Sequence, residues 1–384
     1  MVLHYGANAV YLAGKQFGLR ASAGNFDEAE LRAAVALCHQ KGVKVHVTVN
    51  TLPREDELSF LPAYLEFLND AGVDALIIAD LGVFALAKQY APKPEKHIST
   101  QLGVVNSETC KVLYDMGASR AVLAREVSLA EIEEIRRNAP EGLALEAFVH
   151  GAMCVSFSGR CLLSNYLAGR DANRGECAQP CRWKYHLVEE KRPGEYFEIS
   201  EDKGTYIFNS NDMCMIGHLP ELIRAGISSF KIEGRMKSAY YAAAVTNAYR
   251  HAIDAAAAGE PLPKVWADEM DKVSHRKYCT GFYFGDPGQF YPNNDTLYFA
   301  SSDVCAVVES CDADGNAKLT MRNRFGTGDP VELLTNDGEP VSFVTGHMTD
   351  ANGVSIPEVT HPMMVFHMRL PRFCAPLSLL RKPK

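Results

Sequence analysis

Short runs of β-branched and aliphatic residues alternate with helical patterns over the first two thirds of this 384-residue chain. Repeated strand–helix units predict a parallel sheet joined by right-handed crossovers. This alternation restricts the region to the α/β folds. The predicted strands cover residues 9–13, 43–50, 75–79, 97–101, 120–125, 144–150 and 229–233.

The helices between these strands carry their own end signals. One is predicted to begin after Asp27, where Glu30 stands three residues on as the partner in a capping box. Another is predicted over residues 128–137, with basic Arg136 and Arg137 at the end that the helix dipole favours for cations. Local sequence therefore supports the strand–helix alternation independently of hydrophobic patterning.

Seven strands are one short of a TIM-type (β/α)8 barrel. The chain begins with a helix-like segment, residues 1–5. In a complete barrel, a first strand would precede that helix. We therefore predict a barrel that lacks its first strand, with an open doubly wound sheet as the alternative. A missing strand exposes two sheet edges, so we expect reduced solubility or oligomerisation.

The hydrophobic pattern divides the chain into three parts. We predict a β/α barrel domain at residues 1–262, a linker region at 263–300 and a small β-barrel-like domain at 301–384. A long cysteine-rich insertion at 151–226 interrupts the first domain directly after a predicted strand. Insertions at the carboxyl ends of barrel strands are where such folds build active sites.

The net charge of −8 argues against a uniformly basic nucleic-acid surface and leaves local basic patches open. No apolar run is long enough to span a membrane. We read no signal peptide in the opening residues, so a cytoplasmic location is expected. Eleven cysteines, an odd number in a large chain with no export signal, make a disulfide framework a poor explanation.

Five of the eleven cysteines fall within one segment: Cys154, Cys161, Cys177, Cys181 and Cys214. Thiolates are soft ligands that suit zinc, copper(I) or iron–sulfur clusters. Zinc sites usually show paired cysteines two to four residues apart, and only Cys177 and Cys181 fit that spacing. Clusters tolerate irregular spacing. The pattern therefore favours an iron–sulfur cluster, with zinc and buried free thiols as alternatives.

Two motifs in this segment, residues 146–154 and 159–164, resemble the signature of the collagenase-like peptidase family of unknown catalytic type, family thirty-two of that class. The resemblance covers nearly the whole chain. It also includes residues 20–26, 123–126, 182–185, 209–212 and 231–237. Family members usually begin with a strand that is absent here.

What the resemblance implies is oxygen-independent hydroxylation. Branches of the family act on wobble uridine of tRNA, on a cytidine of ribosomal RNA, or on a ubiquinone precursor. This chain is most similar to the tRNA branch, through its helix–linker–β-domain tail and residues 323–329. That branch implies 5-hydroxyuridine as product, prephenate as oxygen donor, a 4Fe-4S cluster and tRNA as partner. A paralogous partner subunit, as in the quinone branch, remains open.

The resemblance also implies cluster ligands. The matching positions are Cys154, Cys161, Cys177 and Cys214, with Cys181 as either a bystander or the replacement for Cys214.

Other candidate residues follow strand ends, which converge at one mouth of a barrel. His150 could relay a proton, and Arg125 with Glu126 completes the candidate catalytic set. Guanidinium groups bind carboxylates bidentately. We therefore name Arg20, Arg235 and Lys231 as candidate substrate-binding residues, and Arg125 would share that role. The alternative for each cation is a structural ion pair, such as Arg125 with Glu126 or Lys231 with Glu233.

Residues 182–185 mix cations with aromatic rings, a combination that suits stacking of an unpaired base. A hairpin with one packed face explains them equally well.

Two other functions stay open. A peptidase is one, although the chain contains neither His-Glu-x-x-His nor Gly-x-Ser-x-Gly. A cysteine nucleophile paired with His150 would be its remaining route. A non-enzymatic, cluster-bearing RNA-binding factor is the other.

Overall fold

The computed structural model describes residues 1–20, 23–154, 156–183, 210–285 and 298–384, and two short strands at 187–188 and 196–197. The chain forms two compact units. We call the unit of Asn8–Met236 and Arg276–Leu297 the α/β unit. The β unit contains Met1–Ala7, Lys237–His275 and Tyr298–Lys384. This division differs from the predicted boundary at residue 262.

The α/β unit is built around one mainly parallel sheet and also contains a separate two-stranded sheet. Its strands are β1 (Ala9–Leu12), β2 (Lys44–Val49), β3 (Ala75–Ile78), β4 (Glu95–Ile98), β5 (Arg120–Val122), β6 (Ala144–Ala152), β7 (Leu187–Val188), β8 (Tyr196–Phe197), β9 (Asp212–Cys214), β10 (Ser229–Ile232) and β11 (Tyr278–Cys279). Its helices are α1 (Glu28–Gln40), α2 (Leu61–Ala71), α3 (Leu81–Tyr90), α4 (Ser107–Met116), α5 (Leu129–Asn138), α6 (Leu163–Ala168) and α7 (Leu219–Arg224).

Seven of these strands run parallel in the order β1-β2-β3-β4-β5-β6-β10. All four residues of β3 are buried, as expected for a strand covered on both faces. Each of the seven falls on a predicted strand. The mixed α/β region with a parallel sheet is therefore confirmed.

The predicted TIM-type barrel, lacking its first strand, is not confirmed. β1 and β10 are the edges of the parallel run, and no hydrogen-bonded pairing joins them within the described residues. The two edges nevertheless approach each other, because Nζ of Lys231 on β10 lies 4.8 Å from the ring centroid of Tyr11 on β1. The sheet therefore curls without closing.

Strand β6 changes partners along its length. Its first residues pair in parallel with β5 and β10, while its tip pairs antiparallel with β9, His150 opposite Cys214. β9 in turn pairs with β11. A buried ion pair holds this addition, with Nη2 of Arg276 2.6 Å from Oδ1 of Asp212.

Two predicted helix ends are confirmed. Asp27 accepts from the amide of Glu30 at 2.9 Å, and the Glu30 carboxylate accepts from the amide of Asp27 at 2.8 Å. α5 begins after Ser128, whose capping box uses Glu131. These signals lie within four residues of one another, so the local sequence is sufficient to encode them.

The β unit combines two helices with an antiparallel sheet, which confirms a separate all-β C-terminal region. The helices are α8 (Ala239–Ala258) and α9 (Lys264–Asp268). The strands are β12 (Ser302–Cys311), β13 (Asn316–Met321), β14 (Phe325–Gly326), β15 (Pro330–Leu334), β16 (Val341–Val344), β17 (Met348–Asp350), β18 (Ser355–Ile356), β19 (Glu358–Val359), β20 (Val365–Arg369) and β21 (Leu379–Pro383). Eight of the ten strands follow the order β16-β15-β21-β12-β13-β20-β17-β18.

A buried ion pair lies inside the β unit. Arg381 on β21 and Glu269 are both fully buried, and Nη2 of Arg381 lies 2.5 Å from Oε1 of Glu269. Glu332 on β15 accepts a further bond from Nε of Arg381 at 2.8 Å. None of the helices that the structure describes is long and apolar enough to span a bilayer.

Two buried histidines make the α/β unit sensitive to acid. The rings of His46 and His97 meet edge to face at 4.8 Å. Burial, together with His97 and the cations Arg120 and Lys231, lowers the pKa of His46 to about 3, and Glu146 opposes the shift only in part. The native state therefore keeps His46 neutral, whereas the unfolded chain binds a proton below its ordinary pKa of about 6.5.

We therefore expect the melting temperature to fall as the pH drops from about 6.5 towards 4, because only the unfolded state gains that proton. Calorimetric scans of the wild type and His46→Gln across this range test the effect. The variant should show a shallower pH dependence. Exposed His361→Gln is the control, and equal slopes for all three proteins would contradict the assignment.

Candidate active site

A cavity opens at the carboxyl ends of the parallel strands. Its walls come from β1, β2, β6 and β10, the loops after β4 and β5, and the cysteine segment that follows β6. Four thiols line it: Cys154, Cys161, Cys177 and Cys181. So do five charged residues: Arg20, Arg125, Lys231, Glu233 and Arg235. The fold thus brings the cysteines and the cations into one cavity.

The structure gathers Cys181 rather than Cys214 with the other three cysteines. Burial raises the pKa of the Cys181 thiol, and the nearby Cys154, Cys177 and Cys161 raise it further, against the opposing charge of Arg182. Cys214 lies on β9 and is not part of the cavity wall.

The donor chemistry of the cavity fits a four-iron cluster in number and kind, because such clusters take four thiolates. Among the side chains that the structure describes, no group of three or more His, Cys, Asp or Glu stands close enough together to hold a metal ion. Binding a cluster therefore requires the four thiols to close inward.

Bonds to the surrounding loops hold the cysteine segment in place. Glu126 accepts from the amide of Ser158 at 2.9 Å and from its hydroxyl at 3.2 Å. Arg174 forms a bidentate pair with Glu57, with distances of 2.6 and 2.9 Å. Glu126, predicted as catalytic, does not line the cavity, and its carboxylate instead positions the loop between Cys154 and Cys161.

Arg125 is an arginine of the cavity that forms no ion pair with a described carboxylate. Its Nη1 donates to the carbonyl of Ala152 at 3.2 Å, and its guanidinium lies 3.9 Å from the ring centroid of Phe148. Its buried Nε has no hydrogen-bond partner, and no carboxylate of the described chain forms an ion pair with it. The predicted pair with Glu126 is therefore absent from the described structure.

Lys231 does have a carboxylate partner, but a different one from the Glu233 considered above. Its Nζ lies 2.8 Å from Oε1 of Glu146, which also pairs with Arg120 at 2.9 Å. Burial alone would raise the pKa of Glu146, but Lys231 and Arg120 outweigh it and hold that pKa well below its usual range. Lys231 is thus committed to a buried network.

The remaining cations surround one carboxylate. Nη2 of Arg20 lies 3.9 Å from Oε2 of Glu233, and Nη2 of Arg235 donates to Asn25 at 2.8 Å. Burial would raise the pKa of Glu233, but Arg20 and Arg125 reverse the shift and keep it ionised. Three arginines against Glu233 leave the cavity with an excess of positive charge, which suits an anionic ligand.

His150 is separated from this constellation. It is buried at the tip of β6, does not line the cavity, and packs its ring 5.4 Å from that of Tyr278. In the 182–185 segment, Trp183 is exposed and Arg182 bonds Gln179, while Lys184 and Tyr185 lie outside the described residues.

The family models decide how these features are classified. Residues 1–291 match the model described as peptidase family U32, and residues 300–381 match that of the U32 C-terminal domain. The chain belongs to peptidase family U32. The resemblance noted in the sequence is confirmed.

Several relatives of this U32 chain have functional names. It is 35% identical to tRNA hydroxylation protein P1 of Bacillus subtilis, over 100% of this chain and 92% of the relative. It is 36% identical to tRNA hydroxylation protein P of Escherichia coli, over 92% of this chain and 87% of that protein. A 23S rRNA 5-hydroxycytidine synthase of Escherichia coli is 41% identical over 87% of this chain and 50% of its own length.

Sequence reasoning missed Tyr11, whose ring lies under Lys231 in the cavity wall of this U32 chain. Its position near the carboxyl end of the first strand was the available signal. Asn50 and Gln101, which also follow strand ends, do line the cavity.

Gly159 is required where the cysteine loop passes closest to the wall. Its φ of +76° is unfavourable for other residues, and an added Cβ would collide with the backbone oxygen of Gln101. We expect Gly159→Ala to displace Cys161 and to reduce RNA hydroxylation at least tenfold. The amount of hydroxylated nucleoside formed by the purified protein measures this effect. Gly169→Ala is the control, because that glycine also has a positive φ, +63°, but has open space around it. Equal activity of the two variants would contradict this role.

Proposed function

We propose that this protein is an RNA hydroxylase that forms 5-hydroxyuridine in tRNA, with prephenate as oxygen donor and a 4Fe-4S cluster as cofactor. The observation that carries the proposal is the single cavity that combines four cysteines with three arginines. The names of the relatives support an RNA substrate, and two of the three are tRNA hydroxylation proteins. The ribosomal relative leaves the class of RNA as the point to test.

The arginines suit the proposed oxygen donor. Prephenate is a dicarboxylate, and guanidinium groups bind carboxylates through paired hydrogen bonds. Arg125 offers unused donors, and its stacking on Phe148 fixes the plane of its fork. Arg20 and Arg235 supply the second positive region beside Glu233. In this arrangement Arg125 anchors one carboxylate, and Arg20 with Arg235 receives the other.

The residues that would hold a cluster are Cys154, Cys161, Cys177 and Cys181, because these four share the cavity. A bound cluster would supply electron-transfer or Lewis-acid chemistry beside the anion site. The protein's own contribution is positional. Glu126 holds the loop of Ser158, so the thiols and Arg125 are kept on one wall.

We extend the proposal to the cell. A hydroxylase of tRNA would work in the cytoplasm, with tRNA as its partner. A paralogous partner subunit remains a prediction; Bacillus subtilis has two relatives, tRNA hydroxylation proteins P1 and P2.

Nucleoside mass spectrometry of tRNA from cells with and without the gene tests the proposal. We expect 5-hydroxyuridine and its derivatives to disappear in the deletion strain and to return with the wild-type gene. Complementation with Arg125→Ala should fail, whereas Arg324→Ala, at an exposed arginine of the β unit, should restore the nucleoside. Unchanged tRNA in the deletion strain would overturn the tRNA assignment, and ribosomal RNA cytidine would be measured next.

The peptidase alternative finds less support in the described geometry. A cysteine protease needs a thiol within hydrogen-bonding reach of a histidine. His150 lies outside the cavity that contains the four cysteines, and its cross-strand neighbour Cys214 on β9 lies outside that cavity as well. We therefore place hydrolysis of peptides second, to be tested only if both RNA measurements fail.

A further inference from the structure

The cysteine segment exposes an unusual amount of apolar side chain. Tyr166 on α6 is 84% exposed, and Leu162 before it is 71% exposed. Phe157, Leu167 and Trp183, in the same segment, are each more than 40% exposed. Exposed apolar side chains concentrated in one segment make that segment a candidate binding surface. We call residues 156–183 the rim segment.

The rim segment is also locally basic. It contains four arginines and two acidic residues in a chain whose net charge is −8. Arg174 is paired with Glu57. Arg160 and Arg170 are exposed, and neither forms an ion pair with any described residue. Guanidinium groups with no carboxylate partner among the described residues favour an anionic partner, which a purely apolar protein surface would not provide.

The rim segment is continuous with the cavity and is held in a defined shape. Phe157 and Leu163 line the cavity, and Phe157 also reaches the surface. The bonds from Glu126 to Ser158 and from Glu57 to Arg174 fix two points of the segment. A further bond, from the amide of Ala178 to the hydroxyl of Ser164 at 2.9 Å, fixes a third. The rim segment therefore joins the cavity wall to the protein surface.

We propose that the rim segment binds the single-stranded part of the RNA substrate, with unpaired bases stacked on Tyr166 and Trp183 and phosphates bound by Arg160 and Arg170. This inference rests on the proposed function for the class of substrate. Aromatic rings combined with arginines are the usual means of binding unpaired nucleotides, because every base offers a face for stacking. The rim thereby presents a loop nucleotide to the cavity.

Fluorescence anisotropy with the full-length, anaerobically purified protein tests this role. The probes are an unmodified tRNA transcript and a fully paired RNA duplex of similar length. We expect the tRNA to bind more tightly. Tyr166→Ala and Trp183→Ala should each weaken tRNA binding about tenfold, because stacking contributes strongly per base. Arg160→Gln should weaken tRNA binding. It should also reduce the slope of the logarithm of the binding constant against the logarithm of salt concentration by about 1, because one phosphate contact is lost.

The matched control is Tyr114→Ala. Tyr114 is a tyrosine on α4 that is 40% exposed and lies outside the rim segment. The Tyr114→Ala variant should bind tRNA as tightly as the wild-type protein does. Because Tyr166 is largely exposed, its truncation should leave the melting temperature unchanged, which separates loss of binding from loss of folding.

The outcomes separate this inference from the proposed function. If the deletion strain lacks the modified nucleoside but the Tyr166→Ala, Trp183→Ala double variant binds tRNA normally, the rim inference is wrong and the function stands. If tRNA is unmodified by this protein but the rim variants still lose RNA binding, the inference stands. Equal affinity of the wild-type protein for the duplex and for tRNA would overturn the rim inference.

Discussion

Replacing Cys181 with serine is expected to abolish the visible absorption of anaerobically purified protein and the formation of modified nucleoside, whereas Cys214→Ser is expected to retain both. The reason is geometric. Cys181 shares the cavity with Cys154, Cys161 and Cys177, while Cys214 lies on β9, paired with the tip of β6. A serine hydroxyl is a poor ligand for iron, so loss of one of four thiolates would remove or destabilise the proposed cluster.

Iron content, absorption spectra and tRNA nucleoside analysis measure this difference directly. Cys110→Ser is the control for a buried cysteine outside the cavity, since Cys110 is a buried residue of α4 whose thiol pKa burial raises to about 11. The opposite result, with Cys214→Ser inactive and Cys181→Ser active, would show that β9 contributes to the loaded site. The cavity would then have to rearrange when the cluster binds.

Glu269→Ala should cost the β unit about 3–5 kcal/mol of unfolding free energy, because it leaves the guanidinium of Arg381 buried without its main carboxylate. Both side chains of this pair are fully inaccessible. Glu332, which bonds Nε of Arg381, compensates only in part.

Denaturant titration of the full chain, followed by the fluorescence of Trp266, measures this loss. Trp266 is buried in the β unit, and Trp183→Phe removes the other tryptophan of the chain. Glu358→Ala is the control, because its partner Arg324 is exposed and surface pairs contribute about 1 kcal/mol or less. Equal losses for Glu269→Ala and Glu358→Ala would contradict the buried-pair argument.

Local features of the fold were predictable because they are encoded within a few residues. The strands of the parallel sheet follow short apolar runs, and the cap of α1 needs only Asp27 and Glu30. Whether the sheet closes was not predictable, because closure depends on how β1 and β10 approach across the whole unit.

Pairings in the site show the same limit. Lys231 and Glu233 are two residues apart on one predicted strand and would lie on the same face, so the sequence suggested that pair. The observed partner, Glu146, comes from the neighbouring strand β6, and only the register of β10 against β6 places it there. Glu126 was predicted as catalytic for its place after a strand, but its bond to Ser158 depends on the path of a distant loop.

The return of residues 276–285 to the α/β unit has a consequence for how the chain is made. Strand β9, which pairs with the tip of β6, gains its second neighbour β11 and the partner of Asp212, Arg276, from residues that follow α8 and α9 of the other unit in the sequence. The hydroxyl of Tyr283 also donates to the carbonyl of Phe148, at 2.6 Å. A nascent chain emerging from the ribosome therefore holds this wall unfinished while some forty further residues are synthesised. Expression of the α/β unit alone would have to keep that returning stretch, by circular permutation or co-expression, because a stop at residue 262 leaves the buried aspartate without its arginine.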